Sequence, residues 1–192
     1  MNLKVLAPVI VIGVVIVAFS ILFSFDSNNV ADFTPAGYLS GDLSEPIPMM
    51  IMETNGVKHS IPLDKIKGGG PPKDGIPSID NPVFAEVQNS NFMSDSDTVI
   101  GLEINGEAKA YPIFILVWHE IVNDKIGDTP VSVTYCPLCY TNQVFERIID
   151  GQEVEFGTSG KLYNSNLLMY DRYTESYWSQ ALGTAVKGEL TG

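Results

Sequence analysis

The stretch "TVIGLEINGEAKAYPIFILVWHEIVND", Thr98 to Asp124, sets the terms of the fold. In its first half, "TVIGLEI" and "EAKAYPI" flank Asn105-Gly106. A two-residue type I′ turn needs positive φ at both central residues, and Asn followed by Gly is the pair that tolerates it best, so this half predicts a β-hairpin. The second half changes period. Ile113, Leu116, Val117 and Glu120/Ile121 fall at helical spacing, and Pro112 suits a first helical turn. The spacing predicts a short helix ended by Asn123-Asp124.

The same turn signal recurs on both sides. Asn55-Gly56 divides "MMIMETNGVKHSIPL", and Asp150-Gly151 separates "QVFERII" from "QEVEFG". "TPVSVTY", "NSNLLMYDR" and "ESYWSQ" read as further strands, whereas "KIKGGGPPKDGIPSIDNP" reads as a long loop of the kind that often carries function. The predicted architecture is an α+β, β-rich domain over residues 49–192, built from consecutive antiparallel hairpins with one or two short helices.

Composition agrees with one folded domain. The chain has 192 residues, 45% of them hydrophobic and 18% charged. Its 11 basic and 23 acidic side chains leave a formal charge of -12, which repels phosphate backbones and argues against a nucleic-acid partner.

Upstream, "VLAPVIVIGVVIVAFSILFSF" (Val5 to Phe25) carries no charge. At ~1.5 Å rise per residue it spans roughly 31 Å, about one hydrocarbon core. Ala18-Phe19-Ser20 loosely resembles a signal cleavage site, but the apolar run continues through Phe23 and exceeds the ~7–15 residues of a signal core. The expectation is a single transmembrane helix within residues 1–25, embedded in the bilayer through residues 5–25, and a Pro/Gly-punctuated tether over 26–48. Lys4 before the run, with no positive charge just after it, predicts that the domain lies on the extracytoplasmic side of the cell membrane.

Both cysteines lie in "VTYCPLCYTNQVF", as Cys136-Pro-Leu-Cys139. A plain disulfide across so short a loop contributes only about 2 kcal/mol by chain entropy, so the spacing favours chemistry or ligation. A thioredoxin-like site needs a helix after the second cysteine, and "YTNQVFERIIDG" does not supply one. Zinc or copper needs further ligands. His119 is the first candidate, and Met169 is either a weak thioether ligand or a core residue. Glu120, Asp171, Arg172 and Trp178 are the other candidate site residues, the last three as a polar wall beside the thiols or as a structural ion pair with a packed indole. Gly157 to Gly160 offers a weak anion cradle. Ser159 or Ser165 with His119 and Asp171 supplies the residue types of a hydrolase triad, but "GTSGK" is neither a nucleophile elbow nor a Walker loop.

"GGGPPKDGIPSIDNP", "AYPIFILVWHEIVND", "PVSVTYCPLCYT", "FGTSGKLYNSNLLMYDRYTESYWSQ" and "GTAVKGELTG" occur in that order. Together they resemble the bacterial and archaeal family known as domain of unknown function 3179, from about Ile66 to Gly192. The resemblance implies an envelope-associated protein with a Cys-Pro-Leu-Cys motif and no assigned activity. It also implies Gly after the second cysteine, where Tyr140 stands, and a further β-rich stretch beyond "GELTG"; the expectation is a C-terminally short member, either a natural short form or a truncated one.

The leading functional expectation is soft-metal (copper or zinc) binding through Cys136, Cys139 and His119. The alternatives are a thiol-disulfide oxidoreductase using the same cysteines, or a non-enzymatic interaction module of the envelope.

Overall fold

The computed structural model describes residues 49–192. The expected anchor and tether lie outside the described residues, and among those described no helix is long and apolar enough to cross a membrane.

The strands, in chain order, are Met52–Thr54 (β1), Val57–His59 (β2), Lys67–Gly68 (β3), Ile79–Asp80 (β4), Val99–Ile104 (β5) and Glu107–Pro112 (β6). After the helix Ile113–His119 (α1) come Ile121–Ile126 (β7), Thr129–Cys136 (β8), Thr141–Glu146 (β9), Ile148–Ile149 (β10) and Gln152–Glu153 (β11). Phe156–Tyr163 (β12), Asn166–Asp171 (β13), Tyr177–Ser179 (β14) and Thr184–Lys187 (β15) complete the set. The protein is β-rich, with few helices and a succession of antiparallel hairpins. All three Asx-Gly turns form with both residues at positive φ: Asn55/Gly56 at 51° and 78°, Asn105/Gly106 at 52° and 81°, Asp150/Gly151 at 50° and 78°.

Two larger sheets make the body. One has seven strands in the order β1-β2-β15-β14-β13-β12-β3; the other has four, β4-β7-β8-β9. They bury a shared core in which Ile121, Cys136 and Phe145 of the small sheet meet Phe156, Leu167, Met169 and Trp178 of the large one. The opposite face of the four-stranded sheet is covered as well. There Val122, Val131, Val133 and Tyr135 pack under the β5–β6 hairpin and Leu116 of α1. Residues 130–136 are therefore buried on both faces. The polar positions of this stretch, Ser132 and Thr134, are fully buried as well.

The helix is shorter than its spacing predicts. It ends at His119, and "IVND" enters β7, pairing with β8 from Ile121↔Thr134 onward. Two β-branched residues at 121 and 122 favour the strand, and the ladder to β8 outweighs a helical pattern of one extra turn. Glu120 makes the switch as the C-cap residue, with φ 58° and ψ -31°.

Candidate functional site

Cys136 is the last residue of β8 and pairs with Thr141, the first of β9. Pro137 to Tyr140 form the loop between them, with Cys139 N–H loosely closing on Cys136 C=O at 3.4 Å. Tyr140 takes φ 54° and is 82% exposed. The backbone at this position is thus the left-handed one that Gly adopts freely. The tight loop forms with Tyr in that place, and its ring finds no packing in return.

The two thiols are free and differ in setting. Cys136 is 1% exposed within the inter-sheet core, and its Sγ donates weakly to Ser165 C=O at 3.8 Å. Cys139 is half-buried. Its Sγ lies 3.1 Å from Thr141 Oγ1 and accepts from Asn166 Nδ2 at 3.2 Å. Those supports are held in turn. Asn166 Oδ1 accepts from Ala181 N–H at 3.0 Å, which fixes the amide with its NH₂ toward the sulfur. Nδ2 also reaches Gln180 Oε1 at 2.6 Å, and Gln180 Nε2 donates to Thr141 C=O at 3.1 Å and Thr134 Oγ1 at 3.3 Å. Gln180 is fully buried, so its amide is an internal strut joining β8, β9 and β13.

The proton inventory makes this network responsive. Thr141 has one hydroxyl proton and two acceptors, Gln180 Oε1 at 2.8 Å and Cys139 Sγ. With a thiol, S–H donates to Thr141 and Thr141 donates to Gln180. With a thiolate, the hydroxyl turns to sulfur while Gln180 Oε1 keeps its Asn166 bond. Burial pushes the Cys139 thiol up, but hydrogen bonds from Thr141, Asn166 and Cys136 outweigh it and hold the thiol below its ordinary value. Burial, followed by the hydrogen bond to Cys139, pushes Cys136 up. One sulfur is prepared to ionise and the other to stay protonated.

A small cleft opens beside the loop. Its walls include Glu120, Leu138, Thr158, Gly160, Lys161 and Leu167. Burial pushes the Glu120 carboxyl up. Gly160 sits at φ 67° at the register shift of β12, and a Cβ there would lie 2.4 Å from Pro71 C=O. Only Gly lets the Gly/Pro loop seat against the sheet and form the cleft's far wall.

The other candidates form no ligand set with the thiols, although Met169 and Trp178 share the inter-sheet core with Cys136. His119 Nδ1 lies 2.8 Å from Pro77 C=O, and among the described residues no three His, Cys, Asp or Glu side chains gather as a metal would require. Cys136, Cys139 and His119 are thus not brought together as a ligand set. Met169 is wholly buried in the core. Asp171 is also fully buried, accepting from Trp178 Nε1 at 2.8 Å and Thr174 Oγ1 at 3.0 Å. Arg172 bridges Asp80 and Glu155, both at 2.7 Å, and Ser78 at 2.9 Å, pinning the loop end beside β12. Asp171 thus holds the packed indole of Trp178, and Arg172 pairs with Asp80 and Glu155 instead of with Asp171; both arrangements are structural. Ser159 Oγ donates to Leu168 C=O, which occupies the proposed nucleophile of a triad. Thr141, Asn166 and Gln180 carry no motif of their own; their only signal is membership of the runs "CYT", "YNSN" and "SYWSQ".

A β-sandwich-like body carrying a dithiol at a hairpin tip is the class of protein these features define. The chain belongs to the family described as Protein of unknown function (DUF3179), whose family model matches residues 73–192 and so spans the hairpin and its supports. No curated protein and no solved structure matches the chain.

Proposed function

We propose that this chain is a thiol–disulfide exchange protein whose acidic domain, residues 49–192, is held outside the membrane by an anchor at residues 5–25. The observation that carries the reading is the asymmetry of the pair: Cys139 is reachable and hydrogen-bonded by Thr141 and Asn166, while Cys136 is sealed behind it. In the exchange step, Cys139 thiolate attacks one sulfur of a substrate disulfide. An S–S bond to Cys139 forms, the substrate S–S bond breaks, and one substrate thiolate leaves. Cys136, once deprotonated, then attacks Cys139 Sγ. The Cys136–Cys139 disulfide forms and the second substrate thiolate leaves, so two electrons pass from the dithiol to the substrate.

The test uses the full reduced chain with oxidised glutathione, followed by intact mass. Cys136→Ser should trap a glutathione adduct on Cys139, and Cys139→Ser should form no adduct at a comparable rate. Equal reactivity of the two single variants would remove the proposal. Copper or zinc, expected from the sequence, would have to be held by the two sulfurs without His119. Titration of the reduced chain with each metal is the competing arm: tight stoichiometric binding, with no adduct from oxidised glutathione, would replace exchange by ligation. Protease accessibility of the domain in intact cells, with the anchor retained in the membrane fraction, tests the location.

A further inference from the structure

Exchange needs a proton acceptor for Cys136, because a thiol sealed in the inter-sheet core is a poor nucleophile until it ionises. The wall of the cleft offers one carboxyl. Glu120 C=O accepts Tyr135 N–H at 2.8 Å, which sets Glu120 across the ladder from the residue preceding Cys136. Its φ of 58° takes it out of the strand alternation and into the cleft that Leu138 and Leu167 also line. Leu138 lies between the two cysteines, and Leu167 N–H donates to Cys136 Sγ. The same two residues therefore bound the cleft and bracket the buried sulfur.

The backbone at Glu120 is unusual for its residue type. Of the described non-Gly residues at positive φ, most are Asn or Asp, which tolerate that region; Glu120, Tyr140, Ser165 and Glu175 are the rest. Three of these four surround the dithiol: Tyr140 follows Cys139, Ser165 C=O accepts from Cys136, and Glu120 lines the cleft. Backbone strain gathered at one place marks a site where side-chain placement outweighs local preference. The Glu120 carboxyl has no hydrogen bond or ion pair among the described residues, so no structural contact accounts for it. Burial alone raises its affinity for a proton. The other titratable group lining the cleft is Lys161 from β12, and His119 precedes Glu120 at the end of α1, its ring held by Pro77 C=O.

We propose that Glu120 is the proton acceptor for Cys136, taking its proton through a water in the cleft during the second step of exchange. This rests on the exchange reading above. The Cys136 S–H bond breaks, the proton passes by way of the water to the carboxylate, and the sulfur's electron pair forms the bond to Cys139 as the first mixed-disulfide bond breaks. Glu120 then returns the proton to solvent or to the departing thiolate. The role belongs to the second step alone, since Cys139 is activated by Thr141 and Asn166.

The experiment follows both steps in the full chain with oxidised glutathione by rapid quench and intact mass. In Glu120→Gln, adduct formation at Cys139 should keep its rate, while resolution to the intramolecular disulfide should slow about 100-fold, so that the adduct accumulates. The resolution rate should also lose its acidic limb against pH, a change that mere loosening of the loop does not produce. Glu120→Asn removes the carboxyl with a residue type that tolerates positive φ better than Glu or Gln, which separates carboxyl loss from strain; it should behave as Glu120→Gln does. Wild-type resolution rates in either variant overturn the role of Glu120 and leave exchange intact. No adduct on Cys139 in the wild-type chain overturns exchange itself, and this role with it.

Discussion

Two kinds of turn divide the molecule. Away from the thiols, Asn55-Gly56, Asn105-Gly106 and Asp150-Gly151 turn the chain with the residues best suited to left-handed backbone. Beside the thiols positive φ is imposed on Glu120, Tyr140 and Ser165, residue types that rarely adopt it. Glu175, between β13 and β14, is the one described exception away from the thiols; the other connecting turns follow local preference, whereas those that present a sulfur or a carboxyl depart from it. The contrast locates the site independently of the cysteines.

Gly160 is the exception that makes the cleft possible, and changing it should break the contrast most severely. Gly160→Ala adds a Cβ 2.4 Å from Pro71 C=O at φ 67°. Left-handed strain of ~1 kcal/mol and overpacking of ~1–3 kcal/mol add to a loss of about 2–4 kcal/mol. Equilibrium unfolding in denaturant reads this directly. A loss below about 1 kcal/mol would mean that the Gly/Pro loop does not press on β12.

At the connecting turns the expected effect is smaller and of the same sign. Asn105 suits its φ of 52°, and its Nδ2 donates to Gly127 C=O at 2.8 Å. Asn105→Ala should cost about 1–2 kcal/mol, from lost left-handed preference and one exposed hydrogen bond. Exchange with oxidised glutathione should be unchanged.

The opposite sign is expected at Tyr140. Left-handed strain for a non-Gly residue is ~1–2 kcal/mol, and the greater unfolded-state entropy of Gly returns ~0.5–1 kcal/mol of it. With the ring exposed and little packing to lose, Tyr140→Gly should stabilise the chain by up to about 1 kcal/mol in the same unfolding measurement. Destabilisation would show that the ring, and not the backbone, holds the loop.

The contrast also explains what was legible in the sequence. The hairpins were, because Asn-Gly and Asp-Gly are local signals and the fold follows them. For Met169 and Trp178 the sequence left a core and a site reading both open, and both side chains are fully buried. The end of α1 was not, because Ile121 continues the helical spacing and only its pairing with Thr134 makes it a strand. The supports of Cys139 were not, because Asn166 and Gln180 lie 27 and 41 positions beyond it and meet it only through sheet pairing and the turn after β14. His119 was named for its imidazole; its ring lies against Pro77 C=O, a contact 42 positions away that spacing does not show. Spacing identifies residue types that suit a chemistry, and tertiary pairing decides which of them meet.

The smallest expected effect is also the sharpest on Glu120. Burial raises its folded-state affinity for protons above that of the unfolded chain. A raised folded value means the folded state is favoured while the carboxyl is protonated, in full below the unfolded value of ~4.3, and that this contribution fades as pH rises through the folded value. Glu120→Gln lacks the titration. Near pH 4 the two chains should therefore melt together, and the variant's Tm should gain on wild type by a few degrees as pH climbs toward neutrality. A Tm difference that stays flat with pH would place the carboxyl in bulk-like water and deprive Cys136 of its acceptor. A difference that grows in the predicted sense would show a carboxyl kept in the cleft against the interest of stability, which is the condition expected of a group retained for proton transfer.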